Sequence, residues 1–357
     1  MRLIHCSDLH LDSRMETHLP AAQARERKAE LCDTFARMVD WAGKNGVEAV
    51  LIAGDLFDSR WVSARTAELV LDIMEGAEEL EFFYLRGNHD EGREAFGGRT
   101  LPENLHTFGE TWTCFRRGDT VIAGVEPEGT GWETMYDSLD LPADTTNIVL
   151  LHGQDAAQPG EDRIALPRLR GKGIDYLALG HVHSYRKASL DDRGCWCYSG
   201  CLEGRGFDEC GEKGFVLLET GPGGVRSRFI PFAARQLREV LVDISDQVTI
   251  TQLQSAMERA SEGISSGSLV KFTLVGTYTP QTQKDLTFLT RRLGQRFWFV
   301  RIKDDSRFRI ERESYEHDAS LKGEFIRLVM ASDRSEGEKA RIICAGIRAL
   351  TGEEVTV

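Results

Sequence analysis

The 357-residue chain places short polar motifs directly after apolar, strand-like runs at five points within its first 183 residues. The motifs read Asp-Leu-His at 8–10, Gly-Asp-Leu-Phe-Asp at 54–58, Gly-Asn-His-Asp at 87–90, His-Gly at 152–153 and Gly-His-Val-His at 180–183. In an α/β sheet the carboxyl ends of the strands share one edge, and ligands bind there. The pattern therefore predicts that side chains far apart in sequence meet in one site.

The first half of the chain alternates strand-like and helical patterns. Apolar runs predict strands over 2–7, 47–53 and 81–85, and helical periodicity predicts helices over 22–45 and 66–75. Further buried strands are predicted over 148–151 and 176–179. From 195 to 232 the pattern turns to short strands with a Gly-Pro-Gly-Gly hairpin at 221–224, which predicts a second sheet. This order of elements is typical of an α/β layered domain.

The chain is longer than the size at which one hydrophobic core usually stops growing, so a second domain is expected. The pattern restarts after residue 235 with a predicted βαβαβ unit, whose elements are strand 239–244, helix 251–260, strand 269–275, helix 281–293 and strand 297–302. Two amphipathic segments, 321–330 and 336–350, follow. We therefore divide the chain into a large domain over 1–235, a small α/β capping domain over 236–312 and a helical tail over 313–357.

Composition restricts the class of protein. No segment is apolar over the roughly 18 residues that a membrane span requires, and residues 1–12 do not read as a signal peptide, so a cytoplasmic protein is expected. The formal charge of −13 argues against a protein that wraps nucleic acid with a basic surface. Eight cysteines include a close group at 195, 197, 201 and 210 that lacks CxxC pairs. Buried thiols on strands explain this group more simply than a zinc site.

Each polar motif taken alone has a structural explanation. Asp-x-His after a strand is usually a turn, Gly-Asp-x-x-Asp a capped loop, and Gly-Asn-His-Asp a turn in which Gly and Asn accept left-handed backbone. His152 alone fits a core histidine. Alternate positions of Gly-His-x-His present two imidazoles to one side of an extended chain. The five motifs together, all at strand ends, favour a functional site.

These motifs resemble those of the calcineurin-like metallophosphoesterases, and the resemblance covers roughly residues 1–205. Within that superfamily the chain is similar to the SbcD-like DNA repair exonucleases. The narrower likeness depends on the opening His-Cys-Ser-Asp-Leu-His-Leu-Asp at 5–12, the Gly-Asp-Leu-Phe-Asp form at 54–58, Tyr-Ser-Gly at 198–200, and the small domain with its tail. The resemblance implies a two-sheet sandwich flanked by helices, followed by a capping domain.

The resemblance also implies a ligand set for two divalent cations. Asp8, His10 and His183 would hold the first cation, Asn88, His152 and His181 the second, and Asp55 would bridge both. Mixed oxygen and imidazole ligands suit manganese, iron or zinc better than magnesium or calcium. Manganese is the expected metal because relatives of this kind commonly use it.

A charge sum explains why these ligand types would suit a phosphodiester. Two divalent cations contribute +4, two aspartates −2 and a hydroxide −1, so the centre keeps a net charge of about +1. The implied reaction is in-line attack on phosphorus by a hydroxide held between the cations. His89 would then protonate the leaving oxygen or orient the phosphate, with Asp58 holding its ring. Arg60 and Arg205 are the candidate phosphate-binding residues.

Three functions remain open from the sequence. The first is hydrolysis of DNA as an exonuclease or endonuclease in repair, together with a coiled-coil ATPase of the chromosome-maintenance (SMC-like) class. The resemblance places that partner on the tail, which could instead pack on its own domain, and it also implies a homodimer. The second is a phosphodiesterase or phosphatase for small or cyclic nucleotides or a phosphoprotein, which the acidic charge favours. The third is an inactive scaffold, which loss of a ligand would have favoured.

Overall fold

The computed structural model describes residues 1–15, 19–58, 62–90, 96, 98–279, 282–309 and 313–351. The chain divides into two compact units, Met1–Gln236 and Leu237–Val357. The first unit consists, in chain order, of β1 (Arg2–Cys6), α1 (Ala21–Lys44), β2 (Ala49–Ala53), α2 (Ala64–Glu75), β3 (Glu81–Leu85), a 3-10 turn (Asn88–Asp90), β4 (Leu105–Thr107), β5 (Thr113–Arg117), β6 (Thr120–Gly124), α3 (Gly131–Ser138), β7 (Thr146–His152), β8 (Gln154–Ala156), β9 (Arg163–Ala165), α4 (Leu166–Leu169), β10 (Tyr176–Gly180), β11 (Arg186–Ser189), β12 (Cys195–Tyr198), β13 (Gly214–Gly221) and β14 (Gly224–Pro231).

Two six-stranded sheets form the centre of this unit. Their strand orders are β14-β13-β1-β2-β3-β4 and β11-β12-β10-β7-β6-β5. Strands β1, β2 and β3 run parallel in the first sheet, and β7 and β10 run parallel in the second. The carboxyl ends of these five strands therefore carry the five polar motifs, as the sequence predicts.

The core of this unit lies in three layers. Apolar side chains such as Leu51, Phe83, Ile148 and Ala178 fill the space between the two sheets. Helices α1 and α2 cover the outer face of the first sheet, and α3 and α4 cover that of the second. The predicted α/β sandwich of two sheets flanked by helices is thus confirmed.

The segment 195–232 differs from its prediction. It does not form a sheet of its own, because β12 pairs with β10 in the second sheet while β13 pairs antiparallel with β1 in the first. The hairpin at 221–224 is present between β13 and β14. A local pattern identifies the strands and their turn, but it does not specify which distant strand each one pairs with.

The second unit begins with the predicted βαβαβ order. Its elements are β15 (Leu237–Asp243), α5 (Ile250–Ala260), β16 (Leu269–Val275), β17 (Thr277–Tyr278), α6 (Leu286–Leu293), β18 (Phe299–Asp304), β19 (Arg307–Phe308), α7 (Glu313–Glu316), α8 (Leu321–Met330) and α9 (Glu336–Thr351). Strands β15, β16 and β18 form a parallel sheet. Helix α6 begins at Leu286, later than predicted, because the Asp285 side chain accepts a hydrogen bond from the Phe288 N–H and caps the helix there.

The helical tail packs on itself. Ile326 of α8 and Ile343 and Ile347 of α9 form a small buried cluster. Two apolar side chains of α8 stay outside it, since Leu321 is 72% exposed and Leu328 is 65% exposed. Within the described part of the chain, no helix is long and apolar enough to cross a membrane.

Candidate dinuclear metal centre

The seven predicted ligand residues converge at the carboxyl edge of the two sheets. Loops after β1, β2 and β3 supply Asp8, His10, Asp55 and Asn88 from the first sheet, and β7 and β10 supply His152, His181 and His183 from the second. Hydrogen bonds join the loops, because the Asp8 N–H donates to the Gly54 carbonyl and the His181 N–H donates to the Asp8 carboxylate at 2.9 Å. Residues separated by about 175 positions thus form one cluster.

One side of the cluster is built on Asn88, His152 and His181, and we call it the amide side. Asn88 Oδ1 lies 3.0 Å from His152 Nε2 and 3.2 Å from His181 Nδ1. Asp55 Oδ2 lies 3.4 Å from the same His152 nitrogen. Two imidazoles, one amide oxygen and one carboxylate therefore face a common point.

The other side is built on Asp8, His10 and His183, and we call it the imidazole side. His10 Nε2 lies 3.1 Å from His183 Nε2, which is 3.6 Å from Asp8 Oδ1. Asp55 Oδ2 lies 3.7 Å from His10 Nε2 and so faces both sides of the cluster. Ligand atoms of Asp8, His10 and His183 all lie within 4.8 Å of one another, and those of Asp8, Asp55 and His152 do as well.

The protonation of these groups shows that the cluster suits cations. His152 Nδ1 lies 2.9 Å from the Ala53 carbonyl oxygen, an acceptor, so Nδ1 carries the proton of this hydrogen bond. A neutral His152 ring then turns the lone pair of Nε2 toward the oxygens of Asn88 and Asp55. Acceptor atoms that face each other repel unless a proton or a cation lies between them. The mixed nitrogen and oxygen set fits a divalent transition metal on each side.

The pKa shifts of Asp55 and His152 also indicate that a positive charge stabilises the cluster. Burial disfavours the charged forms of Asp55 and His152. The hydrogen bond and the attraction between these two side chains have a larger effect on both pKa values than burial has. They hold the pKa of Asp55 well below its usual range and raise the pKa of His152 to about 9. In the absence of metal, a proton on His152 therefore takes the cationic place, and metal binding has to release it.

Unusual backbone conformations accompany the ligands. Among the described residues, seven non-glycine residues have positive φ, and four of them are predicted ligands, namely Asp8 at 53°, His10 at 45°, Asp55 at 52° and His181 at 96°. Such conformations are unfavourable for L-residues and cluster at functional sites, where the surrounding structure enforces them. The fold holds these loops in place at a cost in local strain.

Two glycines are required by the close packing behind the ligands. A Cβ atom at Gly54, whose φ is +91°, would lie 2.1 Å from His152 Nδ1. A Cβ atom at Gly180 would lie 1.8 Å from the Ala53 carbonyl oxygen. Any side chain at these positions would displace His152 or its hydrogen-bond partner, which explains why a glycine precedes both Asp55 and His181.

The observed contacts of Asp58 and Arg205 differ from the roles predicted for these two residues. The Asp58 carboxylate does not hold the His89 ring, because it lies 3.2 Å from His10 Nδ1 instead, and its backbone carbonyl oxygen lies 3.1 Å from His89 Nδ1. Arg205 is not free for phosphate, since its guanidinium binds Asp58 at 2.5 Å and Glu209 at 3.0 Å. His89 is exposed beside the cluster, and its N–H donates to Asp55 Oδ1. Arg60 lies outside the described residues.

Two acidic residues with a place in the site were not identified from the sequence. Glu209 is buried and lies 2.7 Å from His183 Nδ1, and its contacts with His183 and Arg205 outweigh burial and lower its pKa to about 2. Asp90 accepts hydrogen bonds from the N–H groups of Phe57 and Gly87 and thereby joins two ligand loops. Burial and the nearby Asp55 raise the pKa of Asp90 to about 6. Glu209 has no recognisable motif around it, whereas Asp90 ends Gly-Asn-His-Asp.

Glu209, Arg205 and Asp58 form a connected set behind the imidazole side. Glu209 reaches the outer nitrogen of His183, Asp58 lies at the outer nitrogen of His10, and Arg205 bridges the two carboxylates. Carboxylates in this position fix the tautomer and the orientation of an imidazole and make it a stronger ligand. We call these three residues the carboxylate–arginine brace.

Comparison with known proteins agrees with the site. The family model for calcineurin-like phosphoesterases matches residues 1–185. The chain is 26% identical over 279 residues to the uncharacterized metallophosphoesterase YhaO of Bacillus subtilis, which covers 72% of this chain and 67% of that protein. It is 25% identical over 206 residues to the DNA double-strand break repair protein Mre11 of Saccharolobus solfataricus, with 54% of this chain and 52% of that protein covered.

A protein of the same name from Haloferax volcanii is 28% identical over 264 residues, which cover 71% of this chain and 57% of that protein. The chain thus spans roughly half to two thirds of the length of these relatives. The family match covers more than half of the chain and includes all five polar motifs. The chain therefore belongs to the calcineurin-like phosphoesterases, a family of metal-dependent phosphoesterases with a dinuclear metal centre.

Proposed function

We propose that this protein hydrolyses phosphodiester bonds of DNA. The observation that carries the proposal is the convergence of Asp55, Asn88 and the four histidines around Asp8 in one cluster at the sheet edge. The DNA substrate is supported by the relatives named as DNA double-strand break repair proteins, at 25% and 28% identity. The ligand set suits manganese, and iron and zinc are the alternatives.

The cluster has the chemistry that such a reaction needs. When bound, two divalent cations polarise the phosphoryl oxygens and lower the pKa of an attacking water. Asp55 keeps one carboxylate between the two sides, while neutral Asn88 completes the amide side without adding negative charge. A phosphodiester is attracted to the cluster as long as the cations outweigh the two aspartates.

His89 is placed to move a proton. Its ring centroid lies 4.9 Å from that of His10, and its Nδ1 donates a hydrogen bond to the Asp58 carbonyl oxygen. Nε2 is then the nitrogen available to a substrate, since the side chain is exposed. We assign to the imidazolium form of His89, in which Nε2 also carries a proton, the delivery of that proton to the leaving oxygen or the orientation of the phosphate.

One experiment tests the proposal. The purified protein is incubated with manganese and, in separate reactions, with a labelled DNA strand, a cyclic nucleotide and a generic phosphodiester. Asp55→Ala should lose hydrolysis, whereas Asp40→Ala, which removes an exposed carboxylate of α1 that pairs with Lys44, should retain it. Cleavage of DNA by the wild type and not by Asp55→Ala supports the proposal. Equal activity in the two variants contradicts it.

A phosphodiesterase or phosphatase for small or cyclic nucleotides or for a phosphoprotein is the second candidate. The net charge of −13 favours it, because a long polyanion is repelled by an acidic protein. The same experiment separates the two candidates. Preference for the cyclic nucleotide over the DNA strand would replace the first candidate with the second.

We propose that α8 docks on the coiled coil of an SMC-like ATPase. Leu321 and Leu328 are exposed and stand seven residues apart, the spacing of one helical stripe. The double variant Leu321→Glu/Leu328→Glu should abolish co-purification with a recombinant ATPase of this class, and Leu241→Glu, on the equally exposed Leu241 of β15, should not. Retained binding by the double variant would refute the docking. Sedimentation of the pure protein tests the homodimer that the resemblance implies.

A further inference from the structure

The Tyr-Ser-Gly motif at 198–200 supplies none of the predicted ligands, although it ends β12 at the sheet edge that carries the cluster. Tyr198 is fully buried and Ser199 is 1% exposed. A buried hydroxyl group needs a hydrogen-bond partner, because taking it out of water without one costs free energy. The partners of these two hydroxyl groups therefore indicate what the motif does.

The hydroxyl of Ser199 lies beside that of Ser7, the residue that precedes Asp8. The two Oγ atoms are 2.8 Å apart, and Ser7 Oγ in turn donates to Asp8 Oδ2. All three side chains are buried, and a parallel backbone bridge between Ser7 and Cys201 holds the two segments together. A path of hydrogen bonds thus runs from the end of β12 to the carboxylate of a predicted ligand.

The charge of Asp8 sets the direction of this path. Each serine hydroxyl has one proton, and two acceptors compete for that of Ser199, because its Oγ also lies 3.1 Å from the Gly200 carbonyl oxygen. Hydrogen bonds to an ionised acceptor are the stronger ones, so the Ser7 proton goes to the Asp8 carboxylate. Ser7 Oγ is then free to accept, and Ser199 donates to it at 2.8 Å.

The hydroxyl of Ser7 makes the two oxygens of Asp8 different. The His181 N–H lies 2.9 Å from Oδ1 and 3.2 Å from Oδ2, so it hardly distinguishes them. The torsion that exchanges the two oxygens of an aspartate has only a broad preference of its own. Because Ser7 donates to Oδ2, Oδ1 is the oxygen directed at the imidazole side, where it lies 3.6 Å from His183 Nε2.

The hydroxyl of Tyr198 reaches the amide side. Tyr198 Oη donates to the Gly153 carbonyl oxygen at 2.8 Å, directly after His152. The N–H of Gly153 donates to the Gly180 carbonyl oxygen at 3.2 Å, directly before His181. Gly153 is thus held through both its N–H and its carbonyl group, and with it the chain that links the two histidines of the amide side.

Gly200 lets the motif pack against the loop that carries His183. Its φ is +72°, and a Cβ atom there would lie 2.9 Å from the Tyr185 nitrogen and 3.1 Å from the His183 carbonyl oxygen. The next residue, Cys201, donates its N–H to the same carbonyl oxygen at 3.4 Å. The motif is therefore in contact with the chain on both sides of the cluster.

We propose that the motif at 198–200 positions ligands on both sides of the cluster. Ser199 acts through Ser7 on Asp8 of the imidazole side, and Tyr198 acts through Gly153 on the amide side. These are positioning residues, since each acts through another residue. The inference deepens the proposed function and rests on it in one respect, namely that the cluster binds the cations that hydrolysis requires. Each hydroxyl should therefore control the affinity of one side for its cation.

Calorimetric titration with manganese tests the serine path without any substrate. Ser7→Ala should weaken the binding phase that survives in Asn88→Ala by about tenfold, and Ser199→Ala should weaken the same phase by roughly threefold. Because the two hydroxyls act in one path, Ser199→Ala should cause no further loss in the Ser7→Ala background. Unchanged affinity in both single variants, or additive losses in the double variant, would overturn the inference.

The control for the serines is Ser261→Ala. Ser261 is a buried serine of the second unit that donates to the Met257 carbonyl oxygen, so both manganese phases should stay as in the wild type. Each variant removes a single oxygen atom, and urea unfolding in the presence of a chelator measures any general loss of stability. General loosening of the fold would weaken both phases alike, and that result also overturns the inference.

Tyr198→Phe tests the other arm of the motif. It should weaken the phase that is lost in Asn88→Ala by roughly threefold and leave the serine-dependent phase unchanged, since it removes one neutral hydrogen bond. Tyr136→Phe is the control, because the hydroxyl of this buried tyrosine accepts from the Ala165 N–H instead. A loss on the imidazole side in Tyr198→Phe would contradict the assignment.

The same titration separates this inference from the proposed function. If the wild type binds two manganese ions and the motif variants bind them equally well, the positioning role fails, whatever the substrate is. If the motif variants behave as expected and the wild type leaves DNA intact, the proposed function fails and the positioning role stands. Absence of manganese binding by the wild type would overturn both.

Discussion

The imidazole side and the amide side of the cluster differ in what lies behind them. Behind His10 and His183 lie the two carboxylates of the carboxylate–arginine brace. Behind His152 lies the neutral carbonyl oxygen of Ala53, and in front of it a cavity of about 390 Å³ opens. Both sides share Asp55.

Because of this difference, the two sides of the cluster should bind their cations with different affinities. An imidazole whose outer nitrogen donates to a carboxylate is a more basic and better oriented ligand than one that donates to a carbonyl. The imidazole side should therefore hold its cation more tightly. The amide side carries less negative charge and faces this cavity.

The largest expected effect is at Asp55, the carboxylate that both sides share. Asp55→Asn should reduce the number of tightly bound manganese ions from two per molecule toward zero and lower turnover by about 10³-fold or more, because several kcal/mol of charge stabilisation are lost. Calorimetric titration with manganese measures the number of ions. Asp40→Asn is the control, and two tight ions in Asp55→Asn would contradict a shared carboxylate.

Substitution of His89 should reduce turnover without weakening cation binding on either side of the cluster. His89→Ala should bind two cations normally and reduce turnover by roughly 10²–10⁴-fold, the range for a positioned acid or base. His106→Ala, which changes a histidine paired with Glu81 and Arg117, is the matched control. Near-normal turnover in His89→Ala would remove this residue from the mechanism.

Substitution of Glu209 should weaken cation binding on the imidazole side alone. Glu209→Ala should weaken one of the two calorimetric binding phases by about 10–100-fold, and it should be the phase that survives in Asn88→Ala. Glu209→Gln keeps a hydrogen-bond acceptor for His183 and should lose less cation affinity than Glu209→Ala. The control is Glu203→Gln, a buried glutamate that pairs with Arg27 and contacts no predicted ligand. Equal weakening of both phases would mean that the two sides do not differ as described.

The smallest expected effect is on the stability of the first unit, which carries both sides of the cluster. Burial lowers the pKa of His5 in β1 to about 3, and its Nδ1 lies 2.9 Å from Tyr176 Oη. The unfolded chain takes up a proton at His5 as the pH falls through 6.5, and the folded protein does not until about pH 3. Stability is therefore lost as the pH falls through this window, by about 2 kcal/mol between pH 8 and pH 5.

Urea unfolding in the presence of a chelator measures this loss. His5→Gln does not titrate, so its free energy of unfolding should fall about 2 kcal/mol less than that of the wild type over the same range. Identical pH profiles for the two proteins would show that His5 is not the responsible group. The comparison also separates acid unfolding from simple protonation of the metal ligands.

The sequence predicted the strands that carry the polar motifs, because strands and motifs are local patterns, whereas β4, β5, β6 and α3 were not predicted. Strand β3 and helix α8 begin and end at the predicted residues, and all seven predicted ligands lie in the cluster. The sequence predicted the contacts of the supporting residues poorly. Asp58 was assigned to His89 because the two lie in neighbouring motifs, whereas its carboxylate faces His10 and Arg205. The partner of a side chain depends on the packing of loops, which no local pattern encodes.

The sequence by itself determined that polar residues end five buried strands, because apolar runs and strand-end motifs are local features of the chain. Only the tertiary structure decided that β12 and β13 belong to different sheets, that Glu209 lies behind His183, and that a pocket with an acidic rim flanks Asn88. These features join segments that are distant in sequence, and their positions follow from how the two sheets stack and which strands pair. The sequence positions of the predicted ligands are therefore a local property, and the difference between the two sides of the cluster is a property of the fold.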